Sequence, residues 1–184
     1  MIDTSMADKS VASVLATLVA RQEITDLSSR YALGIDRCDL KILATVWWPD
    51  SLIDFGRGPV NAAQWSKDIM VFLQRINQTQ HFMSNFLVWF EAGMKRARTQ
   101  SYVHAYHEVP GENGIAPGTN GLQEMIMGGR YLDVVECREG EWRILQRRFF
   151  LDWNSNRLAS AEWSKGLFAG TARGGRWPSD PFYS

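Results

Sequence analysis

The sequence predicts one α+β domain, with helices first and a strongly curved antiparallel sheet after them. Three observations lead there. Up to Ile76 the apolar residues recur mostly at three- and four-residue steps, as on amphipathic helices. From about residue 80 the chain reads as long strands joined by Gly-containing or polar turns. The 184 residues fit a single domain with a real core. Helices followed by strands, without βαβ alternation, place the helices over one face of the sheet.

In chain order, Val11, Val14, Leu15, Leu18, Ile24, Leu27 and Tyr31 mark a helix from Asp8 to Ile35. Asp39 is placed to cap a short helix through Leu40, Ile42, Leu43 and Val46, which Pro49 stops. Ser51 to Phe55 reads as a short strand, and Gly56 to Pro59 as a break. Asn61 then caps a third helix carrying Trp65, Ile69, Phe72, Leu73 and Ile76. Four strands follow at 80–91, 96–109, 122–138 and 141–153, with a loop from Pro110 to Gly118. The domain is expected to span 1–153. The tail, 154–184, holds Trp163, Leu167, Phe168, Trp177 and Phe182, too aromatic for a disordered leash, so it should pack on the domain or on a neighbouring subunit.

Composition narrows the function. Twenty basic residues balance twenty acidic ones, which gives no field for nucleic acid and no polybasic stretch for a membrane surface. Cys38 and Cys137 are too few for a disulfide framework or a Cys-rich zinc site and fit a reducing cytosol. The segment from Met1 to Ser10 has no basic leader with an apolar core, and no window approaches the roughly 18 apolar residues of a membrane span. A soluble, cytoplasmic protein is expected. The 8 Trp, 9 Phe and 5 Tyr stand out, and suit a pocket for a flat apolar ligand. Trp47, Phe55, Trp89, Tyr102, Tyr106, Phe149 and Trp153, with Arg147, are the candidate walls.

The chain has three histidines. His81 enters an apolar strand and is the leading candidate for a proton-transfer base. Alternation puts Tyr102, His104 and Tyr106 on one sheet face and His107 on the other, and His81 on a face with Met83, Asn85, Leu87 and Trp89. If both sets turn inward, His81 and His104 border one cavity, and His107 is exposed. Asp36 stands at the carbonyl end of the first helix, where a carboxylate is disfavoured without a compensating proton or cation. A histidine that becomes imidazolium would supply it, and the carboxylate would fix the ring's tautomer. The alternative is that Asp36 and Asp39 are solvated turn residues. His104 and His107 point to opposite faces and cannot easily share an ion, so no metal is expected. No Gly-x-Gly-x-x-Gly, Walker or Gly-x-Ser-x-Gly motif supports nucleotide binding or serine-hydrolase chemistry.

Several segments together resemble the SnoaL-like branch of the fold shared by nuclear transport factor 2, scytalone dehydratase and ketosteroid isomerase. They are Arg30-Tyr-Ala-Leu-Gly-Ile-Asp-Arg-Cys-Asp39, Gln80-His-Phe82, Tyr102-Val-His-Ala-Tyr106, Gly128-Gly-Arg-Tyr-Leu-Asp133 and Trp142-Arg-Ile-Leu-Gln-Arg147. The resemblance spans residues 9–153. It implies a cone-shaped α+β barrel enclosing a deep apolar pocket, and a homo-oligomer, for which a trimer is expected with a dimer as the alternative. In lyases of this branch, among them scytalone dehydratase, bile-acid 7α-dehydratase and hexachlorocyclohexane dehydrochlorinase, a histidine at the position of His81 works with an aspartate at that of Asp36. A tyrosine matching Tyr31 lines the site, and His104 falls where scytalone dehydratase has a second histidine. Other relatives are similar to lyases that expel formaldehyde from lignin-derived diaryl compounds. The paired carboxylates of ketosteroid isomerase are not evident.

Two functions are therefore expected in competition. One is a cofactor-independent lyase on a hydrophobic aromatic or alicyclic substrate, by dehydration or formaldehyde-releasing C–C cleavage of a diaryl compound. His81 would take the proton, Asp36 would stabilise the imidazolium, and Tyr31, His104 or Tyr106 would serve the leaving oxygen. The other is a noncatalytic binding or assembly subunit of the same fold. A dry pocket with His81 and Asp36 in contact favours the first.

Overall fold

A computed structural model describes residues 10–111 and 121–184. Helix α1 runs Val11–Asp36, α2 Leu40–Ala44 and α3 Ala62–Leu73; strands are β1 Trp47–Asp54, β2 Val60–Asn61, β3 Gln78–Phe90, β4 Arg96–Pro110, β5 Leu122–Arg138 and β6 Glu141–Leu158. The expected helix start at Asp8, the N-terminal segment up to Lys9 and the loop beyond Gly111 lie outside the described residues.

Side-chain caps start all three helices. The hydroxyl of Ser10 accepts from the N–H of Ser13, the Asp39 carboxylate from Lys41 and Ile42, and the Asn61 amide oxygen from Ala63 and Gln64. Each cap satisfies backbone donors that the first helical turn leaves free. Along α1 the buried stripe is Ala20, Ile24, Leu27, Tyr31 and Ile35, while Val11, Leu15 and Leu18 stay exposed. Thr17 already meets Met94 in the β3–β4 turn, so the earlier turns of the helix extend past the hairpin.

The strands form one six-stranded sheet in the order β2-β1-β6-β5-β4-β3. Every pairing is antiparallel except β1 with β6. This is the α+β architecture that the sequence predicts, with β1 starting earlier, at Trp47, and β6 continuing past Trp153 to Leu158. Helices α1 and α3 cover the inner face, and Leu27, Tyr31, Leu73, Val88, Val103 and Ile144 are among the residues of the shared core.

Two irregularities shape the inner face. Between Ser84 and Leu87 the β3–β4 register shifts, and Asn85 takes φ 53°, a left-handed conformation that asparagine tolerates. At Gly128 and Gly129 the β5–β6 register shifts again. A Cβ on Gly128 would meet the Trp153 indole at 2.3 Å, and one on Gly129 would meet the Phe150 carbonyl oxygen at 2.4 Å. The glycine pair thus lets Trp153 on one side and Phe149 on the other lie against bare backbone.

The tail does not leave the domain. The Trp177 N–H donates to the Arg37 carbonyl at 2.7 Å, and the Arg176 guanidinium donates to the carbonyls of Leu73 and Ile76. Among the described residues no helix is long and apolar enough to cross a membrane.

Candidate active site

The end of α1 and the start of β3 meet at Asp36 and His81. Asp36 Oδ1 lies 2.6 Å from His81 Nδ1, and its Oδ2 accepts the His81 backbone N–H at 2.9 Å. One carboxylate therefore grips both the ring and the backbone of the same residue, which fixes the χ angles of His81 as well as its tautomer. With Nδ1 committed to Asp36, the proton-accepting nitrogen of the neutral ring is Nε2. The His81 and Asp36 side chains keep 6% and 11% of their exposure, so the contact is largely shielded from water.

His81 forms part of the wall of a cavity of about 180 Å³ between α3 and the sheet. Tyr31 and Ile35 of α1, Trp65, Ile69, Phe72 and Leu73 of α3, Phe55, Met127 and Tyr131 supply most of the rest, and His107 completes it. The lining is apolar apart from the two imidazoles and two phenols. Broader depressions beside Trp89 and Arg98 on the outer face, and beside Trp163 and Phe168 in the tail, contain no histidine.

His107, expected to be exposed, is the second imidazole of the site, and His104 is not. The ring of His107 stands 5.4 Å from that of His81, with Nδ1 2.9 Å from the Thr79 hydroxyl. Burial first, and the neighbouring His81 second, push its pKa from 6.5 down to about 4. It is a neutral imidazole at ordinary pH. His104 is exposed on the opposite face, across from Phe82 and 5.5 Å from the Trp153 ring.

The β3 bulge explains the exchange. Beyond it Leu87 pairs with Gln100; that register carried unbroken would set His81 opposite Tyr106, on the face of His104. The extra residue shifts His81 opposite Ala105, so Val103 and His107 become its inward neighbours. The same residue separates His81 from Leu87 and Trp89, which turn outward.

Other candidate residues divide into three groups. Tyr31 and Phe55 line the cavity. Trp47 and Arg147 are buried behind it: the Arg147 guanidinium forms a two-bond pair with Asp133, at 2.9 and 2.8 Å, and its Cζ lies 4.3 and 4.1 Å from the ring centroids of Tyr31 and Tyr131. Trp89, Tyr102 and Trp153 are exposed on the outer face, and Tyr106 follows the same alternation, next to Glu108 and Glu124. They do not line the cavity, because strand alternation and the two register shifts turn them away from it.

Tyr131 is a polar wall residue that the sequence does not single out. Its hydroxyl is 3.5 Å from that of Tyr31. Burial raises the pKa of both phenols, Tyr131 well above its ordinary value, with Arg147 opposing the shift. Both remain O–H donors at neutral pH. The signal was available in the alternation of Tyr131 and Asp133 along Gly-Arg-Tyr-Leu-Asp. Among the described residues no group of three or more His, Cys, Asp or Glu side chains is placed to hold a metal ion.

Comparison with curated protein sequences gives no match. Solved structures show the same fold. A type 2 hexachlorocyclohexane dehydrochlorinase is 20% identical with a TM-score of 0.69, covering 80% of this chain and 95% of its own. A candidate scytalone dehydratase from Novosphingobium aromaticivorans is 19% identical with a TM-score of 0.65, covering 80% and 94%. The Kfla4162 protein from Kribbella flavida is 20% identical with a TM-score of 0.65, covering 76% and 95%. The family model of the SnoaL-like domain matches residues 16–148, most of the chain, including β3, β4 and the end of α1. The chain belongs to the SnoaL-like family.

Proposed function

We propose that this protein is a cofactor-independent lyase that carries out a β-elimination on a hydrophobic, ring-sized substrate. The observation that carries the reading is the 2.6 Å contact between His81 Nδ1 and Asp36 in the wall of an apolar cavity. His81 Nε2 takes a proton from carbon, the C–H electron pair becomes the new C=C bond, and the neighbouring C–O or C–halogen bond breaks towards the leaving group. Asp36 stabilises the imidazolium while it lasts. His107 stays uncharged beside it and so adds no second positive charge. Tyr31 and Tyr131 are the O–H donors for a leaving oxygen. General acid and base steps contribute about 100- to 10,000-fold each, so proton transfer alone is enough for such a reaction. The similarity in fold to a dehydrochlorinase and to a candidate scytalone dehydratase supports elimination as the reaction class.

Cavity volume bears on the substrate. A dry pocket of about 150 Å³ accepts benzene, so about 180 Å³ suits one six-membered ring with small substituents. A diaryl compound would leave its second ring at the mouth, which ranks formaldehyde release from diaryl substrates behind elimination on a single ring. The competing assembly-subunit reading draws on the exposed Phe82, Trp89, Tyr102 and Trp153 of the outer face. Those residues also fit a homo-oligomer of the enzyme, a trimer or else a dimer.

The test is product analysis after incubating the purified protein with single-ring alicyclic and aromatic alcohols and halides, alongside diaryl alcohols. An alkene product that forms with wild type and not with His81→Ala supports the reading. Turnover at the wild-type rate by His81→Ala would remove the histidine from the mechanism and return the chain to the binding-protein reading.

A further inference from the structure

The C-terminal segment is tied to the end of α1 and the end of α3, and it also reaches α2, where the Lys41 ammonium lies over the Trp177 ring. Asp36 is the last residue of α1, and the next residue, Arg37, is gripped twice: its carbonyl accepts the Trp177 N–H at 2.7 Å, and its Nε lies 3.3 Å from Asp180 Oδ2. Asp180 is in turn buried and held by the N–H groups of Gly175 and Phe182. Arg176 reaches the other helix, donating to the carbonyls of Leu73 at 2.7 Å and Ile76 at 2.8 Å. Leu73 is the last residue of α3 and Ile76 lies in the turn that follows it, so the guanidinium stands at the carbonyl end of the helix and offsets its partial negative charge.

We infer that the segment from Gly174 to Tyr183 is a positioning element for the His81–Asp36 pair, with Arg176 and Asp180 as its positioning residues. Asp36 must meet two donors of His81 at once from the last residue of a helix, where the Arg37, Cys38 and Asp39 N–H groups close the final turn onto Leu33, Ile35 and Gly34 and the chain then leaves the helix. Fixing Arg37 fixes the Cα that carries this carboxylate. Arg176 also shares a small recess with Asp36 and brings a positive charge to a helix end that disfavours the carboxylate. Leu73 is both the last residue of α3 and a wall of the cavity, so the same clamp sets the spacing between base and wall.

The inference rests on the reading of His81 and Asp36 as the reacting pair, and the test keeps the two apart by reading geometry instead of turnover. In ¹⁵N-labelled full-length protein, the His81 Nδ1 proton and ring nitrogen shifts report the Asp36 contact. Arg176→Met and Asp180→Asn are expected to raise solvent exchange of that proton roughly tenfold or more, the scale of losing one charge-assisted hydrogen bond, and to mix the ring tautomers. Arg173→Met, an exposed change in the same tail, is expected to leave both signals as in wild type. If Arg176→Met does not fold, Arg176→Lys keeps the charge without the two-carbonyl fork and is read in the same way. Unchanged exchange and tautomer in folded Arg176 and Asp180 variants would overturn the inference, leaving the tail a stabilising strap only. Loosened geometry in those variants, together with wild-type activity in His81→Ala, would instead sustain the clamp and sink the proposed mechanism.

Discussion

Lowering the pH from neutral to about 4 is expected to cost the fold about 3 kcal/mol through His107 alone. Burial and then the adjacent His81 depress this imidazole from 6.5 to about 4. The unfolded chain takes up the proton near 6.5, whereas the folded chain refuses it until about 4, so the unfolded state binds more protons throughout that window. The stability is fully present above the unfolded value and is lost as pH falls through the folded one. Each pH unit is worth about 1.4 kcal/mol, and a window of roughly two and a half units gives the total. The assay is urea denaturation across pH for wild type and for His107→Gln, which has no proton to take up. The wild-type curve should fall by about 3 kcal/mol more than that of the variant between pH 7 and 4. Parallel curves, or a His107 ring that titrates near 6.5 in the folded protein by NMR, would refute both its burial and its neutrality in the site.

Asp36→Asn should lower turnover by about 100- to 10,000-fold with little change in ligand affinity, because an amide can hold the ring but cannot stabilise imidazolium; kcat and KM measured separately will tell. Arg147→Met should destabilise the fold by about 3–5 kcal/mol in urea titrations, since it leaves the Asp133 carboxylate buried without its partner, and a second change, Asp133→Leu, should restore part of the loss. Gly129→Ala should cost about 1–3 kcal/mol, because the new methyl meets the Phe150 carbonyl, a backbone atom that cannot swing aside; the urea midpoint is the measure. Sedimentation at micromolar concentration should give a homotrimer or, failing that, a dimer, and a monomer would exclude both.

Much of the framework is written in local sequence. Asp39 and Asn61 precede their helices with short side-chain oxygens that can accept from free backbone donors, and both do so. The α1 stripe is legible from Ala20 to Ile35, while Val11, Leu15 and Leu18 keep the same spacing and stay exposed among the described residues. Periodicity says which residues share a face of an element, and it cannot say how far the partner surface extends.

His81 and Asp36 were legible for a related reason: a scarce titratable side chain entering a strand and a carboxylate at the wrong end of a helix dipole are anomalies that need no tertiary information to notice. The choice between His104 and His107 was of another kind. Side chains on a strand alternate with a period of two, so a single inserted residue at Asn85 reverses the face of everything beyond it and exchanges one histidine for the other. Trp153 and Trp89 went to the outer face, and Tyr131 and α3 became cavity walls, because inter-strand register and helix placement are set by pairing across the sheet. The sequence by itself determined the α+β class, the caps at Asp39 and Asn61 and the pair of residues that meet at the site. Only the tertiary structure decided which side of the sheet each remaining side chain would face, because that depends on counting residues between partners that are distant along the chain.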